Sequence, residues 1–321
     1  MFKQIRVQIL YPCQARCAWC STHRKNPLFE QLYRDGVSER VHQFYIATIQ
    51  RLRPKEVFVS GGEPLLYPEI AAFLNAIADS TEHIEVFTSY QYSAETRGGI
   101  HFDQVPLSKI TLNHTLIGFE PQQWHALTAG FPFDVYAENI RALMRVPVRK
   151  RFKFIVNHAQ VGEEMSRFKE LAHPDENCEL GFKVVNDQGK HQNAPAIRKT
   201  RGVVRERVRS LGQLAKKAGW SKANHTAGSL GIMSPVLESG DVGNCLYRRK
   251  PIELRFALYR ADHRTQVLKY RYCPYFPSHF GYRFHIGRDD PQKLEWNYFT
   301  GDFREHCTEC RFLAYQTEDQ A

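Results

Sequence analysis

Six short apolar runs, at residues 5–10, 56–60, 84–88, 109–114, 153–157 and 179–185, punctuate the first part of the chain. Helical patterns lie between them, at about 38–52, 68–79, 122–127 with 133–144, and 162–171. Strands that alternate with helices argue for parallel βαβ units, because each parallel pairing needs a crossover long enough to hold a helix. The interval 93–106 is poor in helical pattern and is the weak point of a barrel. A length of 321 residues allows one large domain, or a large domain with a small one. No run of about 18 apolar residues occurs, so no membrane span is expected. Met1-Phe2-Lys3-Gln4-Ile5 runs straight into a strand pattern without the apolar core of a signal peptide, so the expected location is the cytoplasm.

Three cysteines follow the first run: Cys13, Cys17 and Cys20, in YPCQARCAWC. Three thiolates at CxxxCxxC spacing can grip three corners of a cubane iron–sulfur cluster. Full protein ligation of such a cluster takes four cysteines, and the next cysteine in the chain is Cys178. The spacing therefore leaves one iron open to a small molecule. Other readings stand beside this one. A disulfide fits poorly in a chain without an export signal. Zinc normally takes four ligands, and His23 could supply the fourth. Three buried structural cysteines are a further alternative. After the second apolar run comes Gly61-Gly62-Glu63-Pro64. Glycines directly after a strand let the backbone approach a ligand closely. Alone this signal is weak. Both motifs fall at the C-terminal ends of strands, where α/β barrels keep their reactive sites.

With these two motifs in place, the chain resembles the radical S-adenosylmethionine (SAM) enzymes. Their signature is a CxxxCxxC loop after the first strand, often with an aromatic residue before the third cysteine, here Trp19, and GGEP after the second strand. The resemblance covers about the first 185 residues, through the runs Ile84–Thr88, Ile110–His114 and Lys153–Asn157. It implies a partial (β/α)6 barrel, a four-iron four-sulfur (4Fe-4S) cluster on Cys13, Cys17 and Cys20, and SAM bound to the unique iron. It also implies an outside reductant of flavodoxin or ferredoxin type. One electron from the cluster would split SAM into methionine and a 5′-deoxyadenosyl radical, which removes a hydrogen atom from substrate. Gly61, Gly62 and Glu63, with Pro64 closing the motif, would hold the methionine end. Asn113 and Asn157 are candidates for the ribose and carboxylate of SAM, with Thr88 and Ser89 behind them. Each of these four could equally be an ordinary polar residue at a strand end.

The pattern changes past Asn186. Residues 188–226 hold ten Lys or Arg and one acid, within a chain of net charge +10. Residues 201–218 read as an amphipathic helix, with Val204, Val208, Leu211 and Ala215 on one stripe and Arg201, Arg205, Arg209 and Lys216 beside it. The block is either a solvated surface helix or a platform for an anionic substrate or partner. Nucleic acid is a weaker option, since no recognised binding motif accompanies the charge.

Cys245, Cys273, Cys307 and Cys310 form a second set. A hairpin at 252–259 and 265–270 would bring Cys245 and Cys273 close, and Cys307-Thr308-Glu309-Cys310 adds a CxxC pair. The arrangement resembles the auxiliary-cluster ("twitch") domain of some radical SAM enzymes, which implies a second 4Fe-4S cluster acting as an electron relay. Four cysteines satisfy structural zinc equally well. Cys178 belongs to neither set and reads as a small buried residue.

The sequence thus predicts an α/β protein: a partial (β/α)6 radical SAM barrel at 1–186, a basic helical insertion or linker at 187–240, and a small cysteine-rich α+β domain at 241–321. The expected activity is hydrogen-atom abstraction from an anionic or polar small molecule, with phosphorylated or nucleotide-linked molecules as candidates, and net oxidation through the second cluster. A peptide-modifying enzyme is the alternative, disfavoured because the chain begins directly at the first strand. A non-catalytic, metal-stabilised nucleic-acid-binding protein is the alternative of another class.

Overall fold

The computed structural model describes residues 3–10, 13, 39–90, 104–116, 119, 121–128, 130–155, 161–175, 177–183, 223–224, 253–261, 266–271 and 282–286. Strand β1 (Gln4–Leu10) is followed by α1 (Glu39–Leu52), β2 (Glu56–Gly61) and α2 (Ile70–Ala78). Next come β3 (His83–Thr88), β4 (Ile110–Leu116), α3 (Pro121–Thr128) and α4 (Phe133–Met144). The unit closes with β5 (Arg149–Ile155), α5 (Val161–Ala172) and β6 (Cys178–Lys183). A two-residue strand, β7 (Ala223–Asn224), precedes β8 (Glu253–Ala261), β9 (Gln266–Arg271) and β10 (Tyr282–Ile286). No helix among the described residues is long and apolar enough to cross a membrane.

The described strands form one open sheet in the order β10-β9-β8-β1-β2-β3-β4-β5-β6-β7. From β1 to β7 every neighbour is parallel, so each connection advances the sheet by one place. This is the partial barrel that the alternating pattern implies. The hairpin expected near 252–270 forms as β8 and β9, antiparallel with Phe256 opposite Tyr270. It also lies beside the barrel strands, because β8 pairs in parallel with β1 through Gln4–Glu253 and Arg6–Arg255. A parallel pairing between segments so far apart leaves no local signature in the sequence.

The two faces of the sheet differ in chemistry. On the helix-covered face Ile5, Val7, Val57, Val59, Ile84, Val86, Leu112, Phe152 and Phe154 are almost wholly buried. Phe168 of α5 packs on Phe152 and Phe119, with ring centroids 4.6 and 5.2 Å apart. On the inner face, one line of the register runs Arg6, Phe58, Glu85, Thr111, Arg149. The next runs Phe87, Asn113, Arg151, Glu179. This polar inner face explains why β5 starts at Arg149, four residues before the expected run at 153–157. Arg151 and Lys153 alternate with Phe152 and Phe154, and their charges are met across the sheet. The Arg151 guanidinium donates to Glu85 at 3.0 Å and to Glu179 at 2.8 Å.

Because Phe168 joins three other aromatic rings in the core, Phe168→Ala is expected to cost about 3–5 kcal/mol of stability, measured by denaturant unfolding.

Candidate functional site

Two loops leave the same end of the sheet. The β1–β2 register slips between Gln8 and Leu10, so that Leu10 pairs with Gly61. The chain that reaches Cys13 three residues later thus starts beside the glycine pair. Cys13 is half-buried. Gly61 has φ +152°, a conformation that side-chain-bearing residues rarely adopt. Cys17, Cys20 and Trp19 lie outside the described residues, as do Asn157, Cys245, Cys273, Cys307 and Cys310. Among the described residues no group of three or more His, Cys, Asp or Glu gathers as metal ligands.

Glu63 is wholly buried, and its carboxylate is held by four donors. Oε1 accepts from the Thr88 hydroxyl at 2.6 Å and from the Leu65 amide at 3.1 Å. Oε2 accepts from the Ser89 amide and the Ser89 hydroxyl, each at 2.7 Å. Burial pushes its proton affinity up, and the four hydrogen bonds pull it partly back. Thr88, Ser89 and Glu63 are therefore brought together, as one staple between the ends of β2 and β3. The turn Pro64–Leu66 begins here, with Glu63 as its cap. With its side chain committed, the loop presents the Gly61–Gly62 backbone.

Two histidine–tyrosine pairs, which the sequence reading missed, brace the same strand ends. His114 of β4 donates from Nδ1 to the Thr88 carbonyl at 2.8 Å, since a carbonyl can only accept. Its Nε2 accepts from the Tyr136 hydroxyl, also at 2.8 Å. Burial drives this imidazole down to about 4, against a weaker upward pull from the Thr88 bond. His42 of α1 repeats the device: Nε2 donates to the Ile9 carbonyl at 2.7 Å, and Nδ1 is bonded to the Tyr67 hydroxyl. Burial lowers its basicity too. Tyr67 follows the GGEP turn, so this pair ties the root of the cysteine loop to that turn. Tyr90, just past β3, sits at φ +54° and is fixed by Asn139 donating to its carbonyl at 2.8 Å. Strained backbone of this kind concentrates at functional sites.

Asn113, expected near SAM, lies on the inner face and donates its amide to Glu85. Its carbonyl oxygen has no partner among the described residues. Glu85 and Arg151 were not singled out from the sequence. The signal was there: a glutamate inside IEVFT, and cations in strict alternation with Phe152 and Phe154. Cys178 is buried and donates to Asp175 at 3.2 Å, with burial pushing its thiol up to about 12, which suits an inert structural residue.

This arrangement agrees with solved structures. SuiB of Streptococcus suis bound to S-adenosylmethionine matches with a TM-score of 0.63 at 13% identity, over 98% of this chain and 71% of that one. SuiB alone gives 0.55 at 11% identity, over 79% and 58%, and SuiB with its precursor peptide SuiA gives 0.55 at 13%, over 79% and 57%. In the latter two comparisons the chain spans less than three fifths of SuiB. The fold is that of the radical SAM enzymes. No protein-family model and no curated protein matches the sequence.

The neutral His114 gives a pH signature. An unfolded imidazole gains a proton as pH falls through about 6.5, whereas the folded one resists until about 4. Its contribution is complete above 6.5 and is lost as pH falls toward 4, on the order of 3 kcal/mol. His42 adds in the same sense, while Glu63, pushed up, opposes it. Urea unfolding across that range is expected to show a smaller loss in His114→Gln than in the wild type.

Proposed function

We propose that this chain is a radical SAM enzyme that abstracts a hydrogen atom from a polar substrate. The observation that carries this is the pairing of Leu10 with Gly61, which roots the cysteine loop and the glycine loop side by side at one end of a barrel. The residues fit the implied groups. Cys13 is accessible, the Gly61 conformation leaves no side chain between loop and ligand, and the Glu63 charge is turned away into its own staple.

Cys13, Cys17 and Cys20 would hold a 4Fe-4S cluster, and the Gly61–Gly62 backbone the amino-acid end of SAM. When bound, that pair supplies reductive cleavage of SAM to a 5′-deoxyadenosyl radical. The chain's own part is positional. Glu63 with Thr88 and Ser89 fixes the glycine loop; His42 and Tyr67 fix the chain that leads to Cys13. Neutral His114 and Tyr136 hold the β3 end without adding charge. Cys245, Cys273, Cys307 and Cys310 would bind a second cluster, with zinc as the alternative, and the reductant would be a flavodoxin or ferredoxin in the cytoplasm. A peptide substrate is a second reading, favoured by the likeness of fold to SuiB, which has been captured with its precursor peptide.

Anaerobic, iron-reconstituted protein mixed with SAM and dithionite should release 5′-deoxyadenosine, and release no greater than in a Cys13→Ala, Cys17→Ala, Cys20→Ala triple variant would overturn the proposal. Iron analysis should give about eight irons per chain if both sites hold cubane clusters and about four, with one zinc, if the C-terminal set is structural. Gly61→Ala should weaken SAM binding at least tenfold, about 1.4 kcal/mol, as followed by isothermal titration, because alanine is strained at φ +152°.

A further inference from the structure

The inner face of the sheet carries polar atoms that its described neighbours leave unsatisfied. Thr111 is 0% exposed and its hydroxyl has no partner; Asn113 is 1% exposed and its carbonyl oxygen has none. An unpaired buried polar atom costs on the order of 1–3 kcal/mol, so two together need a reason. The Asn113 orientation is fixed by chemistry. Its neighbour Glu85 is a carboxylate, which only accepts, so the amide must face Glu85 and the carbonyl must face away. Glu85 is the register partner of Thr111 and is 5% exposed. Its contacts with Asn113, Arg151 at 3.0 Å and Lys153 at 3.8 Å all fall on Oε1.

We propose that Thr111, Asn113 and Glu85 form a substrate-orienting subsite that takes a neutral hydrogen-bond donor, a hydroxyl or an amide N–H. This rests on the enzymatic reading above and specifies its substrate. Charge selects the donor's character. Arg151 and Lys153 already lean on Glu85, and the Arg6 guanidinium, on the same register line, is clamped 4.8 Å from the Phe58 ring and 4.7 Å from the Phe87 ring. Glu85 is already shared by Arg151 and Lys153, so a further cation would have to compete with both for one carboxylate. An anion would meet the Asn113 carbonyl and the Glu85 carboxylate head-on. A neutral donor satisfies both acceptors, and the Thr111 hydroxyl can accept from it or donate to it.

Depth separates this subsite from the SAM loops. Residues on one face of a strand recur about every 7 Å. Asn113 and Thr111 therefore lie one and two steps below Thr115, deeper in the barrel than the loops carrying Gly61 and Cys13. For that reason Asn113 is assigned here to substrate, where its sequence position had pointed to the ribose of SAM.

The test uses the 321-residue chain without iron reconstitution and four probes: myo-inositol for hydroxyl donors, N-methylacetamide for an amide donor, inorganic phosphate for an anion and tetramethylammonium for a cation. Saturation-transfer NMR is expected to show transfer to myo-inositol or N-methylacetamide well above the other two, and to fall several-fold in Thr111→Val and in Asn113→Leu. Thr111→Val should also melt at the same temperature as the wild type or higher, because it removes an unpaired buried hydroxyl. Preference for phosphate or tetramethylammonium, no transfer to either donor probe, unchanged transfer in Thr111→Val, or a lowered melting temperature in that variant would each overturn the subsite. A response to myo-inositol alone marks a polyol-like substrate, and to N-methylacetamide alone a peptide-like one. Absence of 5′-deoxyadenosine release from reconstituted protein would instead count against the enzyme class, a result these binding and melting measurements do not share.

Discussion

A buried carboxylate organises the reactive end of this barrel. Removing an ion like Glu63 from water costs several kcal/mol, and among the described residues no cation is paired with it. Four donors do so instead: the Leu65 amide, the Thr88 hydroxyl, and the amide and hydroxyl of Ser89. Hydrogen bonds to a charged group are worth about 1.5–3 kcal/mol each, so the four together offset part of that cost, burial still raises the carboxyl's proton affinity, and losing any one donor widens the deficit. The staple therefore acts as a unit. Its geometry fixes where β2 ends, how the glycine pair turns, and where β3 gives way to the strained backbone at Tyr90.

The two histidine–tyrosine pairs extend that logic to β1 and β3. Each imidazole donates to the carbonyl of a strand-end residue and is bonded at its other nitrogen to a tyrosine hydroxyl. Burial keeps both imidazoles neutral, and neutrality is what lets one nitrogen donate while the other accepts. A protonated ring would lose the bond from tyrosine and place a charge in an apolar layer. Aromatic packing enforces the arrangement: Tyr136 stacks on Trp124 at 3.9 Å between centroids, and His114 lies 4.8 Å from the Tyr90 ring.

Most of the barrel was legible because its signal is local. The strands and helices between Gln4 and Lys183 fall within a few residues of the apolar runs and helical periods, and the cysteine and glycine motifs fall at strand ends as their placement required. What was hidden is non-local. β5 begins earlier than its apolar run because Arg149 is an exposed strand residue and Arg151 and Lys153 are strand residues on the inner face, and Glu85 and Glu179, which meet Arg151, are distant in sequence. His114 and His42 read as incidental polar residues, since nothing in sequence announces a carbonyl on one side and a tyrosine on the other. The parallel pairing of β8 with β1 joins segments far apart in the chain, and nothing local in the sequence announces it.

The contrast between the two ends of the inner face bears on what such a barrel can bind. At the loop end every polar side chain of the staple is committed, so the site offers glycine backbone and the Cys13 thiol, groups that suit a fixed cofactor. Deeper in, Arg151 is saturated by two carboxylates, yet Thr111 and Asn113 keep open valences at almost no solvent exposure. A protein gains no stability from leaving such atoms unpaired. Their persistence beside the Arg151–Glu85–Glu179 ion pairs is most economically explained by a third party that completes them, and the proposed party is a group that carries hydrogen but no net charge. On the proposed reading, cofactor binding and substrate selection would be divided between the two ends of one sheet, the first met by backbone and the second by side chains.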